Sequence, residues 1–310
     1  MRVFVTGASG WIGSATVPEL LAAGHEVVGL ARSEESAAAL EAAGASVVRG
    51  TLDDLDVLAS AAADTDGVIH LAFKHDLAFS GDFAGAGRAD RQAVETLGDA
   101  LAGTGKPFVL ASGLLGLRSD GVATEADGHE PVDSALYGEG PSARHATAEF
   151  TLQLADRDVR SSVVRLSPTV HGAGDTGFVA ALVGLARAHG FAGYLGDGGT
   201  RWPAVHRDDA AALFRLALEQ AVPGTTLHGA AEEGVRLGDV AAEIGRQLDL
   251  PVRAVAAEDA TNHFLWLGPM VGMDTRASSE ATRREVGWRP TGPELLEDLA
   301  AGAYTDGPEA

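Results

Sequence analysis

Cysteine is absent from the 310 residues. Disulfides, thiolate catalysis and Cys-ligated zinc are therefore excluded. Without oxidative folding, a cytoplasmic site is the default expectation. Positive charge is scarce. Lys plus Arg total 23 against 44 for Asp plus Glu, a net charge of −21. Phosphate-backbone recognition needs a cationic surface, so a nucleic-acid partner is not expected. Docking on an anionic membrane is disfavoured for the same reason. No apolar run approaches the eighteen or so residues of a membrane span. The chain opens directly on a strand-like run, Arg2–Thr6, so no leader peptide is expected. Lysine occurs only as Lys74 and Lys106, and tyrosine only as Tyr137, Tyr194 and Tyr304. Mechanisms that use these residues have few positions to choose from.

Short β-rich runs alternate with helical patterns through the first half. Val3–Val5, Glu26–Leu30, Ser46–Val48, Val68–Leu71 and Phe108–Ala111 read as strands. Ile12–Ala23, Ser33–Ala43, Asp54–Ala62 and Ala84–Gly103 read as helices, followed by helix Ser142–Asp156 and strand Val159–Arg165. Such alternation predicts an α/β fold: a doubly wound, parallel, Rossmann-type sheet with helices on both faces. After Arg165 the rhythm changes. Helices are predicted near Gly177–His189, Arg207–Ala221, Leu237–Leu248 and Pro293–Ala303, with strands at Thr226–Gly229 and Val252–Val255. The division is thus 1–165 as a dinucleotide-binding core and 166–310 as mainly a smaller, mixed α/β substrate-binding lobe, with segments returning to the core. Such a protein takes a small-molecule substrate.

The strongest motif is Thr6-Gly7-Ala8-Ser9-Gly10-Trp11-Ile12-Gly13, between the first strand and the first helix. Glycines permit a tight turn and close approach of a pyrophosphate, which the helix N-terminus then receives. The second strand ends in Ala31-Arg32-Ser33, with no acid to accept a ribose 2′-hydroxyl. Arg32, helped by Ser33, suits a 2′-phosphate instead, so NADP(H) is favoured over NAD(H).

The G-x-x-G-x-x-G spacing after a Thr resembles the short-chain dehydrogenase/reductase superfamily, in its extended or atypical branch with epimerase- and dehydratase-like members. Five further segments carry the likeness along nearly the whole chain: Val68–Ala72, Leu110–Gly113, Val164–Gly172, Val205–Ala210 and Gly287–Pro290. The resemblance implies a nicotinamide dinucleotide. Cofactor contacts then fall on Thr6, Gly7, Ser9, Gly10, Trp11, Ile12, Gly13, Arg32 and Ser33. Leu52 would lie near the adenine, and Leu71, Ala72 and Phe73 after strand four. Ser167, Pro168, Thr169 and His171 would lie beside the nicotinamide. Thr51 stands where the family places an acid.

The resemblance also implies hydride transfer, with proton transfer by a Tyr, a Lys four residues later and a substrate-orienting Ser. A free phenol, with a pKa of about 10, needs such a cation to work near neutral pH. Ser112 matches the family Ser. Tyr137 follows it by 137 − 112 = 25 residues, but position 141 is Pro. Aligning on the following helix instead puts Pro141 at the Tyr place, His145 at the Lys place and Glu149 one turn on. Lys74, at the end of strand four, is the lysine on the ligand side; Arg144 and His145 are nearby cations. Substrate contacts are expected from His75, Ser112 and Gly113. An aromatic and Met-rich stretch, with Phe264, Trp266 and Met270, joins Tyr194 and Trp202 as an adaptable apolar wall, or packs as core.

These features predict an NADP(H)-dependent oxidoreductase that reduces a carbonyl or related C=X bond of a small, partly apolar metabolite. Two alternatives stay open: an epimerase or dehydratase that retains its cofactor, and a dinucleotide-binding protein without catalysis. Either a monomer or a homodimer, the latter through Ala84–Gly103 and Ser142–Asp156, fits the resemblance.

Overall fold

The computed structural model describes residues 1–118, 120–129 and 142–304. Seven parallel strands form the central sheet: β1 Arg2–Thr6, β2 Glu26–Ala31, β3 Ser46–Arg49, β4 Gly67–His70, β5 Pro107–Gly113, β6 Arg160–Leu166 and β7 Thr225–Gly229. Their order is β7-β6-β5-β4-β1-β2-β3, so the direction of winding reverses between β1 and β4. Ligands bind at that reversal, outside the carboxyl ends of the strands.

Both faces of the sheet are covered, which is why its strands are apolar throughout. Side chains alternate across β1. Val3 and Val5 enter one core with Leu20, Leu213 and Trp288; Phe4 enters the other with Leu58, Leu97 and Phe108. Helices Gly13–Ala22 and Arg207–Gln220 pack on the first face, and Leu55–Ala63, Phe83–Leu101 and Ser142–Gln153 on the second. Helix Arg207–Gln220 and β7 come from the second half of the chain, so the central body extends well past residue 165.

The smaller lobe has a separate core of Trp202, Phe264, Val240, Ile244 and Leu299. Helices Phe178–His189, Leu237–Leu248 and Leu295–Ala300 surround it. A three-stranded sheet, with Arg201–His206 between Thr169–His171 and Glu232–Arg236, joins it to the central body. Sequence patterning missed these three strands. The central one is interrupted by Pro203, which falls where its antiparallel register shifts. Proline has no N–H to give to a ladder, so it lies at such irregularities.

Candidate active site

The Gly-rich turn leaves β1 at the reversal point. Gly7 takes φ +67°, and a Cβ there would lie 2.7 Å from the backbone nitrogen of Ala72, just beyond β4. Gly13 starts the helix against the backbone of Gly7 and Ala8, where a Cβ would lie 2.7 Å from two Ala8 backbone carbons. The turn closes through the Gly10 amide, which donates to the Gly7 carbonyl at 3.0 Å. Among the described residues, no acceptor takes the backbone amides of Trp11, Ile12 or Gly13. Free amides at a helix start, reached over a surface cleared of side chains, fit a pyrophosphate. Ser9 and Gly10 are exposed beside them.

The Thr6 side chain is turned inward. Its hydroxyl is hydrogen-bonded with Nδ1 of His70 at 2.7 Å and accepts the Ala72 amide at 3.3 Å. His70 Nε2 faces the Asp90 carboxylate at 3.3 Å, and all three side chains are buried. This chain ties β1, β4 and helix Phe83–Leu101 together directly beneath the turn. Sequence reading passed over it, although Asp90 lies within the apolar stripe of Ala86, Ala93, Val94 and Leu97. An acid in such a stripe signals a buried partner.

Trp11 works through its side chain as well as its backbone. The indole Nε1 donates to the Val170 carbonyl at 2.9 Å, and the Arg207 guanidinium covers the ring at 4.4 Å. It thereby pins the segment after β6 to the turn. In that segment Ser167 donates to the Gly229 carbonyl, Thr169 to the Pro203 carbonyl, and His171 Nδ1 meets Asp298 at 2.8 Å. The three side chains therefore hold the lobe in place, and Pro168, partly exposed, is the surface between them.

At the other end of the groove, Arg32 projects from β2 with its side chain 75% exposed, 3.6 Å from Asp76. The Ser33 hydroxyl caps helix Glu34–Ala42 by accepting the Ser36 amide. Leu52 is buried in the core under helix Leu55–Ala63 rather than facing outward. Lys74 departs from the catalytic expectation. Its Nζ donates to both carboxylate oxygens of Asp53 at 2.7 Å, after β3, so its charge is engaged there.

Ser112 and Gly113 close β5, with Ser112 6% exposed and open space at the missing Cβ of Gly113. Tyr137, like Pro141, lies outside the described residues. Of the two helix cations, His145 hydrogen-bonds the Leu115 backbone; burial, then Arg165 and Arg144, pushes its pKa down. Arg144 reaches the strand ends themselves: its Nη2 donates to the Ala111 carbonyl at 3.0 Å and its guanidinium lies 4.4 Å over the Phe73 ring. Phe73 also meets His75 edge-on at 5.1 Å. His75 keeps an exposed edge, and desolvation of the rest of its ring, then Arg144, lowers its pKa to about 4. Ser112, Arg144, Phe73 and His75 thus converge on the carboxyl ends of β4 and β5.

The apolar wall divides. Trp202 and Phe264 are buried in the lobe core, Trp202 with its Nε1 on the Met273 carbonyl. They offer no surface to a ligand, a departure from the expectation. The void bordered by Tyr194, Phe264 and Ile244 is only about 10 Å³, room for no more than a water molecule. Trp266 is 37% exposed on Phe178, and Met270 is half-buried. Among the described residues, no helix is long and apolar enough to cross a membrane, and no cluster of three His, Asp or Glu is placed to hold a metal.

The description "NAD dependent epimerase/dehydratase family" belongs to the family model that matches residues 3–228. An uncharacterized protein of Schizosaccharomyces pombe is 45% identical over 304 residues, covering 98% of this chain and all of the relative. The 2-alkyl-3-oxoalkanoate reductase of Stenotrophomonas maltophilia is 30% identical over 247 residues, 74% of this chain and 69% of the relative. Among solved structures, the dTDP-glucose 4,6-dehydratase DesIV of Streptomyces venezuelae, a double mutant with NAD and DAU bound, superposes with a TM-score of 0.75. It is 22% identical, with 99% of this chain and 97% of that chain covered.

Proposed function

From its membership of the NAD dependent epimerase/dehydratase family, we propose that the chain is an NADP(H)-dependent oxidoreductase that reduces a carbonyl group of a small, partly apolar metabolite. The free amides of Trp11, Ile12 and Gly13 would hold the pyrophosphate, and Arg32 the 2′-phosphate. When bound, the nicotinamide supplies a hydride to the carbonyl carbon. Ser112 would hold the carbonyl oxygen and Tyr137 would deliver the proton to it. Arg144, fixed at the ends of β4 and β5, is the cation of this site, while Lys74 serves the adenosine side through Asp53.

The observation that carries the NADP(H) reading is the end of β2: an exposed Arg32 stands there, and no acid of β2 takes the ribose position. The reductase name of the Stenotrophomonas relative supports reduction over epimerisation. A paired titration with NADPH and NADH, followed by tryptophan quenching, tests the reading, with Arg32→Gln alongside. A charge-assisted contact is worth about 1.5–3 kcal/mol, less at an exposed site. The wild type should therefore favour NADPH by about tenfold, about 1.4 kcal/mol, and Arg32→Gln should erase the preference while leaving NADH binding unchanged. Equal binding of the two cofactors by the wild type would remove the Arg32 assignment, and binding of neither would remove the oxidoreductase reading.

A further inference from the structure

We propose that Arg144 is a receptor for a carboxylate on the substrate, which makes the substrate class an oxo acid rather than a neutral ketone or aldehyde. The reaction rests on the reductase reading above; the binding site does not. Arg144 lies in the first turn of helix Ser142–Gln153, and its guanidinium is held between two strand ends. On one side Nη2 donates to the Ala111 carbonyl of β5 at 3.0 Å, one residue before Ser112. On the other its Cζ lies 4.4 Å from the centre of the Phe73 ring, beyond β4. Ligands of such sheets bind at this edge.

Two facts about its partners point to a missing anion. A guanidinium has five N–H donors, and the Ala111 carbonyl is the one hydrogen-bond acceptor Arg144 has among the described residues. No carboxylate of those residues comes within 4.0 Å of it, although the chain carries 44 acidic side chains. The carboxylate whose field reaches it is the buried Asp90 of helix Phe83–Leu101, beyond ion-pair distance. Arg165, which is fully buried, shows how this chain satisfies a guanidinium with its own groups. It donates to the carbonyls of Asp127 and Gly128 and lies 3.7 Å from Glu149. Arg144 is half-buried, and a partly desolvated cation with no counter-ion among the described residues is poised for an anionic ligand.

The surroundings do not compete for that ligand. His75 and His145 are both kept toward the neutral form, first by burial and then by nearby arginines. In Arg144 an arriving anion meets a permanent charge whose planar fork matches a carboxylate. Because Ser112 follows Ala111 directly on β5, the carbonyl and carboxylate must be close together, as in a 2-oxo or 3-oxo acid.

The test compares hexanoate with hexanamide, neither of which is reducible. Binding to the wild type, Arg144→Gln and Arg144→Lys is followed by ligand-observed NMR with NADPH present and absent. Hexanoate should bind the wild type at least about tenfold tighter than hexanamide, and Arg144→Gln should abolish that difference. Arg144→Lys, which keeps the charge and loses the fork, should retain part of it. With turnover, Arg144→Gln should raise KM for acetoacetate by a much larger factor than KM for its methyl ester, about tenfold more. Equal binding of hexanoate and hexanamide by the wild type would overturn the proposal even if Arg144→Gln failed to fold. So would an undiminished preference in a folded Arg144→Gln. A wild type that prefers hexanoate but binds no NADPH would instead sink the reductase reading and leave the carboxylate site standing.

Discussion

Alanine substituted in turn at the three glycines of the phosphate turn should give graded damage. At Gly13 the new methyl would sit 2.7 Å from two backbone carbons of Ala8 and closer still to the Gly7 carbonyl oxygen. Backbone atoms cannot rotate aside, so helix Gly13–Ala22 must back away from β1. At Gly7 the methyl would meet the Ala72 nitrogen at 2.7 Å, and φ +67° adds about 1 kcal/mol of backbone cost for a residue with a side chain. At Gly10 the nearest atom is the Gly7 oxygen at 3.2 Å, and φ lies outside the left-handed region. Overpacking a close-fitted site costs about 1–3 kcal/mol. Gly13→Ala and Gly7→Ala should therefore each lose about 2–3 kcal/mol, a fall in Tm of about 5 °C for a chain of this size. Gly10→Ala should stay within about 1 kcal/mol, partly offset by the lower entropy of its unfolded chain. Retraction of the helix also withdraws the Trp11, Ile12 and Gly13 amides. NADPH affinity should thus fall about tenfold in Gly13→Ala and no more than about twofold in Gly10→Ala. Thermal melts followed by circular dichroism, together with NADPH titrations, measure both effects. Equal losses at Gly10 and Gly13, or a Gly13→Ala protein indistinguishable from wild type, would refute the reasoning.

Asp209 accepts the backbone amides of Thr291 and Gly292 at 2.8 and 2.9 Å and is 6% exposed. Asp209→Ala should cost about 2 kcal/mol in chemical denaturation, by removing two hydrogen bonds to a buried carboxylate, with NADPH affinity unchanged. Burial holds the His228 imidazole at a pKa of about 4, below its ordinary value of 6.5. The folded state then binds fewer protons than the unfolded chain between those values. The contribution of His228 is complete above pH 6.5 and is lost as the pH falls toward 4. Urea midpoints at pH 7 and pH 5 should therefore differ less in His228→Gln than in the wild type; an unchanged difference would show that His228 does not carry this acid sensitivity.

How much of the molecule was legible in the sequence varied with the range of the interactions concerned. The geometry of the Gly-rich turn was fully legible, because a strand, three spaced glycines and a helix act within a dozen residues. The first six strands of the sheet were read almost to the residue, since apolar runs bounded by turn residues are local signals. Helix Ser142–Gln153 was read a few residues too long, because a turn of 3₁₀-helix, Leu154–Arg157, replaces its final turn. The functional cluster was only half legible. Ser112 followed from its place at the end of a strand. That Lys74 is drawn to Asp53, that Thr169 and His171 face the lobe, and that Trp202 is core were not, because each depends on a partner 21 to 127 residues away.

The sequence by itself determined the kind of sheet and the geometry of the Gly-rich turn, because secondary-structure period and backbone freedom are properties of short segments. Tertiary structure alone decided which charges meet. It buried Asp90 under His70, gave Arg165 two carbonyls and a carboxylate, and brought Arg144 to the end of β5 with no counter-ion among the described residues. Residue type fixes a charge, but packing sets its dielectric surroundings and the distance to its partner, and these decide whether a side chain braces the fold or awaits a ligand.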